Sequence, residues 1–185
     1  MMWSAARSLL VVSLIASTAC AKLSFTATVE QDGQEVEASD LVFVPIPPLT
    51  HGRSPSSGLS PGQERRGKDP VSYSSNWCGA SQHSTGSDEV SNIFSFFTAP
   101  DLRLRPQIPA PQFAAAWVGI DGAECKTALL QAGVTTIVNS NGGQSASAWW
   151  EWYPEAAYTI DGLRVNPGDW MSVNITATDS SSATV

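Results

Sequence analysis

From Tyr73 onward the sequence is a succession of short runs in which Trp, Val, Thr and Ser alternate, interrupted by turn residues about every ten positions. "SNIFSFFTAP", "AAAWVGIDG", "TALLQAGVTTIV", "SASAWWEWY", "YTIDGLRV" and "DWMSVNITAT" have the period and composition of strands. Between them "PDLRLRP", "NSNGG" and "NPGD" are turn chemistry. No stretch carries a 3.6-residue amphipathic pattern, and no internal repeat is evident. Strands that are apolar on one side must bury that side against another layer. The region is therefore expected to be all-β, a sandwich of two antiparallel sheets.

The same alternation assigns faces, because successive strand side chains point to opposite sides. In "AWVGIDG" it puts Trp117, Gly119 and Asp121 on one face and Val118 and Ile120 on the other. In "ALLQAGV" Leu129, Gln131 and Gly133 lie opposite Leu130 and Ala132. In "AWWEWYP" Trp149, Glu151 and Tyr153 lie opposite Trp150 and Trp152. Each strand thus has one wholly apolar face and one that mixes a polar group with aromatic, glycine or leucine positions. With the apolar faces packed on the second sheet, the mixed faces line up as a surface of the kind that binds a polymer. Pattern alone fits equally well an ordinary half-covered sheet, with Trp149 and Tyr153 as its cover and Gln131 as a common strand residue.

The part before Tyr73 has a different texture. Arg7, the apolar run "LLVVSLIA" and the small-x-small site "ACA" read as a secretory signal over residues 1–21, and the apolar run is too short to span a bilayer. Residues 22–44 hold one or two short strands, "KLSFTATVE" and "LVFV". The stretch Pro45–Pro70 is rich in Pro, Gly and Ser, lacks aromatics and reads as a linker. Arg65–Arg66 at its end suits a dibasic-cutting protease, so residues 22–66 are expected to be a propeptide and 67–185 the working domain.

Charge and cysteine usage narrow the function. Residues 73–185 carry ten acidic and four basic side chains within a chain of net charge -7, which argues against nucleic acid as a partner. Few cations remain to repel one another in acid, so the fold suits low pH. Cys20 leaves with the signal. Cys78 and Cys125 either pair with each other or each need another partner, in the oxidising compartment that secretion implies. "NIT" at Asn174–Thr176 fits the N-glycosylation pattern. His83 is the sole histidine after the linker and no G-x-S-x-G occurs, so serine- and cysteine-nucleophile hydrolysis both lack a base. No phosphate loop or zinc spacing is present either. What remains is carboxylate and amide chemistry.

"YSSNWCGA", "WVGIDGAEC", "ALLQAGV", "AWWEWYPEAAY" and "NPGDWMSVNITATDSSSAT" together resemble the glutamic peptidases, or eqolisins, of fungi and some bacteria. The resemblance implies a sandwich of two curved antiparallel sheets, of the concanavalin A or lectin-like jelly-roll kind, with a substrate groove on its concave face. It implies a secreted monomer that is made with a signal and a propeptide, needs no cofactor or metal, and hydrolyses proteins and peptides in acid. The catalytic glutamine of the family corresponds to Gln131. Trp117, Asp121, Trp149, Glu151 and Tyr153 become groove residues.

The family's catalytic glutamate sits in a later motif of the form A-E-W/F-I-x-E, which these residues do not include. A downstream cysteine that the family pairs with the one matching Cys125 is likewise not among them. The expectation is a domain incomplete at its C-terminus, folding poorly and inactive by itself. Two other classes fit the same face. A carbohydrate-binding module would stack sugars on Trp117, Trp149 and Tyr153. A glycosidase would set Asp121 and Glu151 across a glycosidic bond.

Overall fold

The computed structural model describes residues 24–26, 29–49, 77–82, 89–123, 125, 127–179 and 182–185. The expected signal peptide, Arg65–Arg66, His83 and most of the Pro/Gly/Ser-rich stretch lie outside the described residues. The described chain forms strands β1 (Ser24–Thr26), β2 (Glu30–Gln31), β3 (Gln34–Glu35), β4 (Val42–Ile46), β5 (Asn92–Thr98), β6 (Gln112–Asp121), β7 (Leu129–Val138), β8 (Gln144–Tyr153), β9 (Ala157–Asp161), β10 (Trp170–Asp179) and β11 (Ser182–Thr184). Ala38–Asp40 makes a short 3-10 turn. All six strands expected after Tyr73 are present. β11 was not expected, because three residues of Ser, Ala and Thr are too few to display an alternation.

Two sheets carry the fold. One runs β4-β9-β8-β7-β6 and the other β1-β11-β10-β5, with β2 and β3 as a separate hairpin. The neighbours β6, β7, β8 and β9 are joined antiparallel in chain order. The link between β7 and β8 is the "NSNGG" stretch, where Asn139 and Gly143 close the turn by a 2.9 Å N–H to carbonyl bond. Gly142 there has φ 82°, a conformation that costs glycine little. Pairing is antiparallel as expected except at one place: β1 runs parallel to β11. Strands so distant in sequence are not bound to the antiparallel geometry that a tight hairpin imposes. Pro45 and Ile46 were expected to begin the linker but are the last residues of β4, paired with Tyr158 and Ala157. An edge strand tolerates a proline, which has no N–H to give to a ladder.

The core lies between the two sheets. Leu130, Ala132 and Trp150 from the five-stranded sheet meet Ile175 and Ala183 from the other, with Val118, Ile120, Trp152, Val173 and Ile93 packed around them. A second cluster joins Val134 and Ala148 to Ala99 and Val165. The face that alternation marked as wholly apolar is thus the face turned to the second sheet. Trp150 stacks on Tyr158 with ring centroids 4.8 Å apart. On the outside of the four-stranded sheet Phe94, Phe96 and Trp170 are exposed. Asn174 is exposed on the same strand as Trp170, and its carboxamide oxygen accepts from Asn92 at 2.9 Å.

Gly133 is a fixed point of this packing. A Cβ at that position would lie 2.3 Å from the carbonyl oxygen of Ala116 and 2.6 Å from Cβ of Trp117. Both neighbours belong to β6, so the backbones themselves would have to separate. Gly133→Ala is expected to lower stability by about 1–3 kcal/mol, the range for overpacking. Urea unfolding of the variant measures it, and an unchanged midpoint would contradict the close approach.

Candidate active site

Strand register turns the other face of the five-stranded sheet into ordered rows. Gly119, Gln131 and Glu151 are opposite one another across β6, β7 and β8, and Ala157 of β9 continues the row. The adjacent row is Trp117, Gly133, Trp149 and Thr159. On the far side lie Asp121, Leu129 and Tyr153. The six residues singled out in the sequence therefore occupy three successive rows of one face. Opposite residues in such ladders sit about 5 Å apart.

In the central row the side chains touch. Gln131 donates through Nε2 to Oε2 of Glu151 at 2.5 Å. The second carboxyl oxygen, Oε1, accepts the peptide N–H of Leu49 at 3.0 Å. Glu151 is completely buried and Gln131 is 3% exposed. A carboxyl group away from water is costly unless donors reach it, and here both oxygens are met. One N–H of the Gln131 amide goes to Glu151, and that bond sets the orientation of the amide. Gly119 leaves the space that Gln131 needs, since a Cβ there would be 3.0 Å from Cβ of Gln131 and 2.8 Å from the Leu130 carbonyl.

The aromatic row frames the pair. Trp117 and Trp149 stand on either side of Gly133, which contributes no side chain between them. Trp149 is 4% exposed, and its indole N–H has no acceptor among the described residues. Trp77 meets Trp117 edge-on with centroids 5.2 Å apart. Asp121, at the end of β6, is exposed and has φ 71°, a left-handed conformation that Asp adopts more readily than most residues. Tyr153 is half-buried at the end of β8. The mixed face is thus not open at its centre, because the chain at Leu49 lies over Glu151. No sequence signal marked Leu49, since the contact uses its main chain and any residue but proline supplies that donor.

Among the described residues Cys78 and Cys125 are free and exposed. The Cys125 thiol is held below its ordinary pKa, first by the hydroxyl of Thr127, 3.5 Å from Sγ, and then by backbone N–H groups of Thr127 and Ala128. A lowered pKa means more thiolate at a given pH, so Cys125 is expected to alkylate at lower pH than a free thiol. Iodoacetamide labelling followed across pH by mass spectrometry checks this, and Thr127→Val should move the profile upward. A profile that does not move with that substitution would rule out the cause given. Among the described residues no group of three or more His, Cys, Asp or Glu is placed to hold a metal ion.

Comparison with known proteins gives consistent matches. Residues 75–185 match the Peptidase A4 family. Aspergillopepsin-2 of Aspergillus niger is 35% identical over 126 residues, which is 60% of this chain and 43% of that protein. Scytalidopepsin B of Scytalidium lignicola is 42% identical over 67 residues, 36% of this chain and 24% of that one. Among solved structures, scytalido-glutamic peptidase with a transition state analog inhibitor aligns at 31% identity with a TM-score of 0.41, over 48% of this chain and 39% of that chain. The chain spans less than half the length of the curated relatives that it matches.

Proposed function

This chain belongs to the Peptidase A4 family, and from that premise we propose that the protein is a secreted acid endopeptidase whose amide component is Gln131. The observation that carries the reading is the buried contact between Gln131 and Glu151 on the face that also holds Trp117, Trp149, Asp121 and Tyr153. The curated relatives it resembles carry the names aspergillopepsin-2 and scytalidopepsin B. No carbohydrate reading is needed to account for the aromatic positions.

The chemistry follows from the residue types. Hydrolysis requires a water made nucleophilic, an oxyanion stabilised and a leaving amine protonated. A carboxylate takes the water proton as the oxygen attacks the carbonyl carbon, and returns it to nitrogen as the C–N bond breaks. The family resemblance assigns that carboxylate to the later glutamate motif, outside these residues. The side-chain amide of Gln131 is neutral at every working pH, so its NH2 remains a donor to the tetrahedral oxyanion in strong acid. An imidazole would be protonated there and unable to act as base. Glu151 is a positioning residue: it fixes the amide of Gln131, and Trp117, Trp149, Asp121 and Tyr153 flank the substrate. A signal over 1–21, a propeptide over 22–66 and a glycan on Asn174 belong to the same secreted reading.

The experiment is digestion of a denatured protein by the complete protein in acid, near the ordinary glutamate pKa of about 4.3, where the carboxylate form is still present. Peptide release supports the reading. Retention on a polysaccharide without any cleavage would replace it by the carbohydrate-binding module.

A further inference from the structure

The four-stranded sheet carries an aromatic ridge on the side of the sandwich away from Gln131. Alternation along β5 sends Ile93 and Phe97 into the core and turns Phe94 and Phe96 outward. The two outward rings meet edge to face, with centroids 4.9 Å apart. In the ladder with β10, Trp170 is opposite Thr98, Ser172 opposite Phe96 and Asn174 opposite Phe94. Phe94, Phe96 and Trp170 are each more than half exposed. A cluster of apolar side chains on a surface marks a place where something else packs.

One residue within this ridge is itself a point of attachment. Asn174 heads the triplet Asn174-Ile175-Thr176, the acceptor pattern for an N-linked glycan. Ile175 is completely buried in the core, so Asn174 and Thr176 share the outer face. Asn92, opposite Thr176, holds both of them: its Nδ2 donates to Asn174 Oδ1 at 2.9 Å and to Thr176 Oγ1 at 2.7 Å. The Asn174 oxygen is thus engaged, while its Nδ2 gives no hydrogen bond among the described residues. Opposite residues in such a ladder have Cβ atoms about 5 Å apart, so a group built out from Nδ2 starts beside the Phe94 ring. Ser172, the next outward residue of β10, is too small to stand between that group and Phe96.

We propose that the ridge is the bed of an N-linked glycan, whose first N-acetylglucosamine, joined to Nδ2 of Asn174, lies with its C–H face and acetyl methyl over Phe94 and Phe96. The proposal rests on the secreted reading, which brings the chain past an oligosaccharide activated as a lipid pyrophosphate. Nδ2 displaces the pyrophosphate from the anomeric carbon. A C–N bond forms, the C–O bond to phosphate breaks, and the amide loses one proton to a base of the transferring enzyme. The amide keeps its oxygen, so the bond from Asn92 survives the transfer. A pyranose has hydroxyls around its rim and C–H bonds on its face, so it covers the rings and presents hydroxyls to water. Gln131 belongs to the other sheet, so the sugar leaves its face open.

The test uses the complete protein secreted from a eukaryotic host. Peptide mass before and after enzymatic release of N-glycans reads the occupancy of Asn174, which is expected to be modified. The glycan is then trimmed to its first sugar, and this form is compared in urea unfolding with the same chain made without glycosylation in bacteria. The sugar should raise the folded-to-unfolded ratio by more than about threefold, beyond the usual effect of a surface change. The gain should vanish when both forms carry Phe94→Ser. In NMR spectra the acetyl methyl protons should lie upfield, shifted by the rings, and return toward the free-sugar position with Phe94→Ser. If that variant does not fold, Phe94→Leu, which keeps apolar bulk without a ring, serves for the same comparison. An unmodified Asn174 in the secreted protein, equal stability with and without the sugar, or a methyl shift indifferent to Phe94 overturns the proposal. Sugar-free secreted protein that self-associates through the ridge would make a second copy its occupant instead. A chain that is not secreted removes the secreted reading and the glycan with it. A protein that is secreted and glycosylated but digests nothing leaves the glycan bed standing and removes the peptidase reading.

Discussion

Gln131→Ala in the complete protein is expected to reduce kcat on a protein substrate in acid by about 10²–10³-fold, the cost of one oxyanion donor. KM should change little, because a donor aimed at the oxyanion acts on the transition state rather than on ground-state binding. The substitution also has a structural effect. It leaves Oε2 of a wholly buried Glu151 without the donor it has now, at an expected cost of about 1–3 kcal/mol. Rates must therefore be referred to folded protein, measured by unfolding at the assay pH. Gln131→Met retains the side-chain length and loses the donor, so it should show the same fall in kcat. If either variant digests at the wild-type rate, Gln131 is not the amide of the mechanism.

Trp150→Ala should give the largest loss of stability among simple truncations, about 3–5 kcal/mol. Trp150 is 5% exposed, stacks on Tyr158 and joins Leu130 and Ala132 to Ile175 and Ala183 across the two sheets. Removing the indole empties the middle of the sandwich, and backbone held in two ladders does not collapse to fill it. The measurement is a urea titration followed by far-ultraviolet circular dichroism, with the midpoint falling and the slope preserved. A shift of less than about 1 kcal/mol would show that the sheets are not packed through this residue.

The contrast between Trp150 and its neighbour Glu151 was legible in the sequence. Strict alternation through "AWWEWYP" separates Trp150 and Trp152 from Trp149, Glu151 and Tyr153, and the register with β7 preserves that separation. The same argument on β6 and β7 brought Trp117, Asp121 and Gln131 to the common face. It worked because a half-buried strand carries its orientation in every second residue. Burial of Glu151 was not legible. A carboxylate within an alternating strand reads as solvent-facing, and the donor that covers it is a peptide N–H from a distant proline-rich stretch. Main-chain donors leave no mark on residue type. The extension of β4 through Pro45 was hidden for a related reason, since composition there signalled a linker while the free edge of β9 decided the pairing. The parallel pairing of β1 with β11 has no local signature either, because both strands are only three residues long.

That last pairing bears on how the chain reaches its fold during synthesis. Ser24 is aligned with Ser182, so β1 meets its partner only after strands β2 to β10 have left the ribosome. The hairpin ladder from β6 to β9 has short connections and forms as its residues emerge. The four-stranded sheet instead waits for β11 and must close a loop that contains every strand from β2 to β10, which is the slow class of contact. Folding is therefore expected in two stages: an early meander bearing Gln131 and Glu151, and a late closure that brings β1 to the strand beside β10.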